Sequence, residues 1–317
     1  MNYGNVLVTG GAGFVGSQLV KRLQPIAGKI YVIDDLSTGQ AEAIPQADNI
    51  VFYHDSLLNE ALLEEILPQV EWIFHLACRN LVLSATDLFA DFQVNLAGGL
   101  LLLEKARTCG GKLKKMIYTS TASVYGNAPL LPTPETWHQT TMPYAASKFS
   151  MEHYCQVYYH MYQLPVTTLR LSNVYGPGQL SSNPYCGVVA KFFEAIWQDQ
   201  PLIIYGDGQQ TRDFTYIDDA IDALLTVSGE SRTTGEVYNV GTGVETSVNQ
   251  LAKAVLRITQ NEQRAILYQP KRTVDRISRR VLDSSKLQNE TNWRVRISLE
   301  DGLRKTYQWL REGGKQG

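Results

Sequence analysis

The sequence predicts an α/β fold, a doubly wound parallel sheet with a smaller C-terminal lobe. Three observations carry this expectation. Short runs rich in branched and aromatic residues alternate with longer amphipathic runs through about Leu171. The first, Val6-Leu7-Val8-Thr9, enters the glycine-rich turn Gly10-Gly11-Ala12-Gly13-Phe14-Val15-Gly16 and then a helix expected over Val15 to Leu23. The second, Lys29 to Ile33, ends in Asp34, about twenty residues past the glycines.

Glycines placed so let backbone N–H groups approach a pyrophosphate at the positive end of a helix. An acid closing the second strand accepts from ribose hydroxyls. Together they make a Rossmann-type dinucleotide site, with Gly10, Gly13, Phe14, Val15 and Gly16 on its phosphate side. Asp34 argues NAD over NADP, because a 2′-phosphate would face a carboxylate with no neighbouring arginine.

The remaining elements follow in order. The polar loop Asp35-Leu36-Ser37-Thr38-Gly39 is placed to cradle the adenosine half. A third strand, Ile50 to Tyr53, leads to Asp55 and Ser56; Asp55 either accepts from the adenine amino group or caps the helix begun near Asn59. A fourth, Trp72 to Leu76, ends in small residues such as Ala77 that permit close approach of a cofactor, before Arg79 and Asn80. An apolar-periodic segment from Thr86 to Thr108 is expected as one helix; Asn95 interrupts its apolar face as a buried strut or a site residue. A fifth strand, Met116 to Ser120, includes Thr119 on the cofactor side and delivers Thr121 to the same edge. The helix opened by Pro143 and continuing to about Tyr162 puts Tyr144 and Lys148 on one face. A free tyrosine is a poor base, yet an ammonium and an oxidised nicotinamide beside it favour phenolate. Thr121 can bridge that phenol and a substrate hydroxyl.

Composition bounds the reading. Hydrophobic content of 44%, charged content of 19% and a net charge of −2 describe an ordinary globular protein and call for neither nucleic acid nor membrane. The segment Arg264 to Lys315 carries +7 and the rest −9, a solvated face or an attraction for an anionic substrate. Cys78, Cys109, Cys155 and Cys186 form no CxxC pair and lack clustered histidines, so no metal site is expected and a reducing, cytoplasmic setting is. A strand begins within five residues of Met1, so no signal peptide is expected, and no apolar run approaches a membrane span.

At this point the sequence resembles the extended short-chain dehydrogenase/reductases, in particular the NAD-dependent nucleotide-sugar epimerases and dehydratases and among them the UDP-glucose 4-epimerase-like members. The matching runs are Thr9 to Gly16, Asp34 to Gly39, His75 to Ala77, Tyr118 to Gly126, Tyr144 to Lys148, Arg170 to Pro177, Tyr205 to Gly208, Arg212 to Asp219, Asn239 to Gly241 and Asp283 to Lys286. The resemblance implies Tyr144 as acid/base, Lys148 on the nicotinamide ribose, Thr121 on the reacting hydroxyl and Asn95 ordering the catalytic helix. It also implies a nucleotide-diphosphate sugar held by Arg79, Asn80, Thr121, Asn173, Val188, Tyr205 and Arg212, with Tyr205 on the base and Arg212 on the diphosphate. Dehydratases and decarboxylases that resemble this chain carry an acid just after the threonine that matches Thr121; Ala122 and Ser123 stand there instead. Elimination then lacks a partner, and redox-neutral epimerisation at C4 remains.

Lys271 to Arg280 departs from the family's Arg-Pro-Gly-Asp pattern, and Arg272 or Arg276 takes the diphosphate. Arg279 and Arg280 fall where epimerases gate the sugar's 2-substituent; with Arg79 they point either to an anionic group on the sugar, such as a carboxylate, or to ordinary surface charge. The alternatives in function are a 4-keto reductase or dehydrogenase, a decarboxylase or dehydratase, and an idle NAD-sensing protein on the same scaffold. Residues 1–175, with returning segments about 214–241, are expected to bind NAD, and 176–213 with 242–317 the sugar nucleotide. Helices Thr86–Thr108 and Tyr144–Tyr162 either pair as a four-helix bundle in a homodimer, through Leu100, Leu103, Tyr154, Tyr158 and Tyr159, or only pack inward.

Overall fold

A computed structural model describes residues 2–109, 111–179, 187–272 and 275–313. Cys186, and Thr273 and Val274 of the basic segment, lie outside the described residues. Seven strands form one sheet: β1 (Val6–Thr9), β2 (Ile30–Asp34), β3 (Ile50–His54), β4 (Trp72–His75), β5 (Lys115–Thr121), β6 (Val166–Leu171) and β7 (Val237–Val240). Their spatial order is β7-β6-β5-β4-β1-β2-β3, and every pair is parallel. The chain therefore winds from β1 to one edge and restarts at β4 beside β1, in register from Val6 against Trp72 to Thr9 against His75.

Alternation along each strand sorts the core into two layers. Val6, Val8 and Val32 join one apolar cluster with Leu19 and Leu23 of α1 (Phe14–Leu23), while Leu7, Ile33 and Ile73 join another with Leu63, Leu102 and Met151. Both faces are covered, which is why these strands read as continuous apolar runs.

The segment expected as one helix from Thr86 to Thr108 is broken. A short helix, Leu81–Thr86, ends at Asp87, whose extended backbone (φ −145°) starts a new helix and whose side chain accepts from the Ala90 N–H at 3.0 Å. Leu88–Asp91 then widens into a π-helical stretch, Phe92–Gly98, before Gly99–Cys109 resumes the α-helix. Nor do all five proposed dimer residues face outward. Leu103 and Tyr158 are buried, Tyr158 donating to Glu104 at 2.9 Å. Leu88, Phe89, Phe92, Tyr154, Val157, Met161 and Tyr162 are the exposed large apolar residues of these helices.

The long helix α2 (Pro143–Tyr162) is fixed to the sheet by charge. Glu152 takes two bonds from Arg170 of β6 through Nε, both at 3.1 Å, and one from Nη2 at 2.7 Å; Ser120 of β5 also donates to it. Arg170 Nη1 donates to the Tyr125 hydroxyl at 2.9 Å and the Glu135 carbonyl at 2.8 Å. Both partners are buried. Such a pair holds only with its remaining groups satisfied, and removing one partner strands the other. Among the described residues no helix is long and apolar enough to cross a membrane. Arg170→Met should lower unfolding free energy by about 3–5 kcal/mol, as measured by denaturant titration; a loss below about 1 kcal/mol would show that the pair does not anchor α2.

Candidate active site

The winding reverses between β1 and β4, and ligands of such sheets sit outside the strand ends at that point. A groove of about 580 Å³ opens there. Gly10 turns with φ +72°, and a Cβ on it would lie 2.5 Å from the Ala77 nitrogen; on Gly16 a Cβ would lie 2.1 Å from the Gly10 oxygen. Neither position accepts a side chain. Gly13 is the extended N-cap of α1 and no side chain caps the helix, so its first-turn N–H donors are left for a ligand. Gly13, Phe14, Val15 and Gly16 line the groove.

Asp34 lines its wall, accepting from the Ala12 and Leu36 N–H groups, each at 2.9 Å. Burial raises its pKa, and those N–H bonds oppose the rise. Asp35, Ser37, Thr38, Gly39, Asp55, Ser56, Leu76 and Ala77 line the same groove. Among the described lining residues there are carboxylates but no lysine or arginine, so a 2′-phosphate would find no partner. The helix cap is Asn59, which accepts from the Leu62 N–H; Asp55 instead accepts from the Asn59 amide at 2.7 Å and fixes it.

At the inner end, the Tyr144 phenol lies close enough to the Thr121 hydroxyl and the Cys78 thiol for both to shift its pKa. Burial pushes that phenol well above its usual pKa and Cys78 adds to the rise, while Thr121 and the Arg280 charge pull it down. Lys148 is 1% exposed and points inward, its ammonium 4.4 Å from the centre of the Tyr118 ring. Burial lowers its pKa, and Cys78, Cys155, Glu152 and Asp91 oppose that. Burial thus dominates in the free protein, and the phenol keeps its proton near neutral pH. Ionising it takes a further positive charge beside the ring, as an oxidised nicotinamide carries. His75, bonded to Thr9 at 2.7 Å, is held neutral, its pKa pushed down to about 3 by burial and then by Lys148.

Asn95 is a strut. Its Oδ1 accepts from the Arg79 N–H at 2.7 Å; its Nδ2 donates to the Arg79 carbonyl at 3.0 Å, Asp91 at 2.6 Å and Ser147 of α2 at 3.4 Å. The π-helical turn aims it there, as such turns do near functional sites.

A second cavity, about 220 Å³, adjoins Tyr144 and is lined by Asn80, Thr121, Ser123, Tyr144, Asn173 and Arg280 with Leu81, Val82, Leu171 and Ser172. From it a row of cations leads outward. Arg280 feels the charge of Arg212, and Arg212 that of Arg272. The Arg272 guanidinium pairs with Asp275 at 2.7 Å and lies 4.7 Å from the centre of the Tyr205 ring. Asp213 organises the row: it accepts from the backbone of Thr242, Gly243 and Leu282, fixing the chain beside Arg280.

Several expected residues lie elsewhere. Thr119 is buried, lines neither cavity and donates its hydroxyl to the His75 carbonyl of the neighbouring strand at 3.1 Å. Arg79 lines neither cavity, because Asn95 holds its backbone instead. Val188 begins a helix, Val188–Trp197, and packs on the core. Arg276 is exposed because its neighbour Ile277 is the residue turned inward. Arg279 is exposed and pairs with Glu245 at 2.6 Å, the surface-charge alternative, whereas Arg280 enters the cavity.

Comparison with known proteins settles the family. Residues 6–241 match the NAD dependent epimerase/dehydratase family. The chain is 36% identical over 314 residues to a UDP-glucose 4-epimerase of Mycolicibacterium smegmatis, covering 96% of this chain and 98% of that protein. It is 32% identical over 319 residues to a UDP-N-acetyl-alpha-D-glucosaminuronate decarboxylase of Bacillus cytotoxicus, covering 96% and 97%. The crystal structure of Thermotoga maritima UDP-glucose 4-epimerase with UDP-glucose superposes with a TM-score of 0.92 at 36% identity, covering 98% of this chain and all of that one.

The chain belongs to the NAD dependent epimerase/dehydratase family. The groove fits that family's cofactor: glycines where no Cβ fits, open amide donors at α1 and an acid-lined adenosine end. Cys78 and Ser123 are site residues of this epimerase/dehydratase chain that sequence reading passed over; lying just past β4 and β5 was their one signal. Thr121→Val removes a hydroxyl that favours phenolate, so kcat at neutral pH should fall and the rising limb of its pH profile should move to higher pH. An unmoved limb would separate Thr121 from proton transfer.

Proposed function

We propose that this chain epimerises a UDP-hexose at C4 through a 4-keto sugar. The observation that carries the reading is the lining of the sugar-sized cavity: Tyr144 is among its residues, and no carboxylate lines it among the described residues. Dehydration or decarboxylation with proton delivery to carbon would call for a second acid or base there. Ala122 is buried and Ser123 accepts from Arg280 at 3.0 Å, so neither supplies one.

Bound NAD supplies the acceptor and later the donor of the C4 hydride. The chain's residues do the rest. Tyr144 takes the proton of the 4-hydroxyl and returns it, Thr121 bridges phenol and hydroxyl, and Lys148 holds the nicotinamide ribose. Gly10, Gly13, Phe14, Val15 and Gly16 seat the pyrophosphate of NAD, and Asp34 its ribose. Arg212 and Arg272 hold the sugar nucleotide's diphosphate while Tyr205 stacks on uracil. Keeping that end fixed lets the keto sugar turn over within the cavity, so hydride returns to its other face. Residues 1–175 with 214–241 thus serve NAD, and the remaining segments the sugar nucleotide.

We also assign a homodimer in which Leu88, Phe89, Phe92, Tyr154, Val157 and Met161 meet their copies in a four-helix bundle; their exposure supports it. The unpaired Cys78, Cys109 and Cys155 suit the cytoplasm.

Tyr144→Phe should lower kcat for UDP-glucose to UDP-galactose by about 10²–10⁴-fold with NAD still co-purifying; turnover near that of the unaltered protein would refute the assignment. Sedimentation velocity should give a dimer, and Phe92→Glu with Met161→Glu a monomer. A monomer before substitution would remove the bundle.

A further inference from the structure

The sugar cavity is lined by one cation, Arg280, and by no carboxylate among the described residues; the Asp213 carboxylate acts on it only from beyond ion-pair distance. Arg280 donates through Nη1 to the Ser123 hydroxyl at 3.0 Å and through Nη2 to the Asn173 side-chain oxygen at 3.0 Å, both neutral acceptors. Its Nε is buried and has no hydrogen-bond partner. Other arginines show the contrast: Arg170, Arg272 and Arg279 each pair with a carboxylate, whereas none lies within ion-pair distance of Arg280 among the described residues. Arg280 lines the cavity beside Tyr144, and Arg212 lies near enough to oppose its charge. A half-buried guanidinium whose Nε is buried without a partner carries an unmet desolvation cost, which an anionic ligand group would offset.

Resting on the epimerase reading, we infer that the sugar this cavity takes is a hexuronate, its C6 carboxylate bound by Arg280. C4 must face Tyr144, and C1 must point to the diphosphate at Arg212. Arg280, beside both, therefore meets an edge of the ring, either C5–C6 or C2–C3. Turning the sugar over exchanges these edges, so a C6 carboxylate reaches Arg280 in one of the two orientations. Oxidation at C6 adds an anion with almost no bulk, which suits a cavity of about 220 Å³. The reaction stays balanced: the proton of O4 goes to Tyr144, the C4 hydride to NAD, and both return, leaving the carboxylate in place. Ser123 and Asn173 act as positioning residues that aim the guanidinium.

The test is calorimetry on the NAD-loaded Tyr144→Phe protein with UDP, UDP-glucose and UDP-glucuronate, repeated with Arg280→Gln added. A charge-assisted contact predicts UDP-glucuronate binding about ten- to a hundred-fold tighter than UDP-glucose, with Arg280→Gln abolishing that preference. Equal affinities before the substitution would overturn the inference whether or not the variant folds. So would an Arg280→Gln variant that weakens UDP as much as UDP-glucuronate, since Arg280 would then serve the diphosphate. Turnover of the unaltered protein separates the two readings. Interconversion of UDP-glucose and UDP-galactose with UDP-glucuronate ignored would sink the hexuronate alone. CO2 release from tightly bound UDP-glucuronate would sink the epimerase and keep the role of Arg280.

Discussion

The buried pair of Glu152 and Arg170 is the constraint on which the site depends. Glu152 lies two turns beyond Tyr144 on α2, and Arg170 belongs to the strand beside β5, which carries Thr121. Joining them sets the height and rotation of the helix against the strand end where Thr121 meets the Tyr144 phenol. Asp91, Asn95 and Ser147 tie the near end of the same helix to the chain after β4. The pair is tolerable in the interior because Ser120, Tyr125 and the Glu135 carbonyl satisfy its remaining groups.

A helix so held presents its reactive group already desolvated. That raises the phenol's pKa, the opposite of what a base needs, and leaves its ionisation to the charges brought beside it. Arg280 is one such charge within the protein; the oxidised nicotinamide is the other. A site of this design is idle until loaded, and the same row of cations that steadies phenolate also orders an anionic substrate.

What was legible in the sequence was local. The turn at Gly10 to Gly16, Asp34 closing β2 and the helical spacing of Tyr144 and Lys148 each depend on neighbours within a few residues or one βαβ unit. The break at Asp87 and the π-helical turn after it were not legible, since an apolar stripe of helical period runs on through them. Thr119 and Thr121 share one face of β5, and what separates them is the bond of Thr119 to the His75 carbonyl, while Thr121 closes the strand at the site. Arg279 and Arg280 look alike in sequence, and what sorts them is Asp213, a long way back in the chain, gripping the Leu282 N–H. Leu103 and Tyr158 read as an outer face, but the packing of the Gly99–Cys109 helix against α2 turned them inward.

The central claim is that one phenol faces the sugar's C4 while Arg212 and Arg272 take the phosphates. A crystal structure of the protein with NADH and a UDP-hexose tests it most directly. The account predicts the 4-hydroxyl within about 2.6–3.2 Å of the Tyr144 oxygen, the diphosphate at Arg212 and the base over Tyr205. A sugar ring lodged away from Tyr144, or phosphates seated on Arg280, would contradict it.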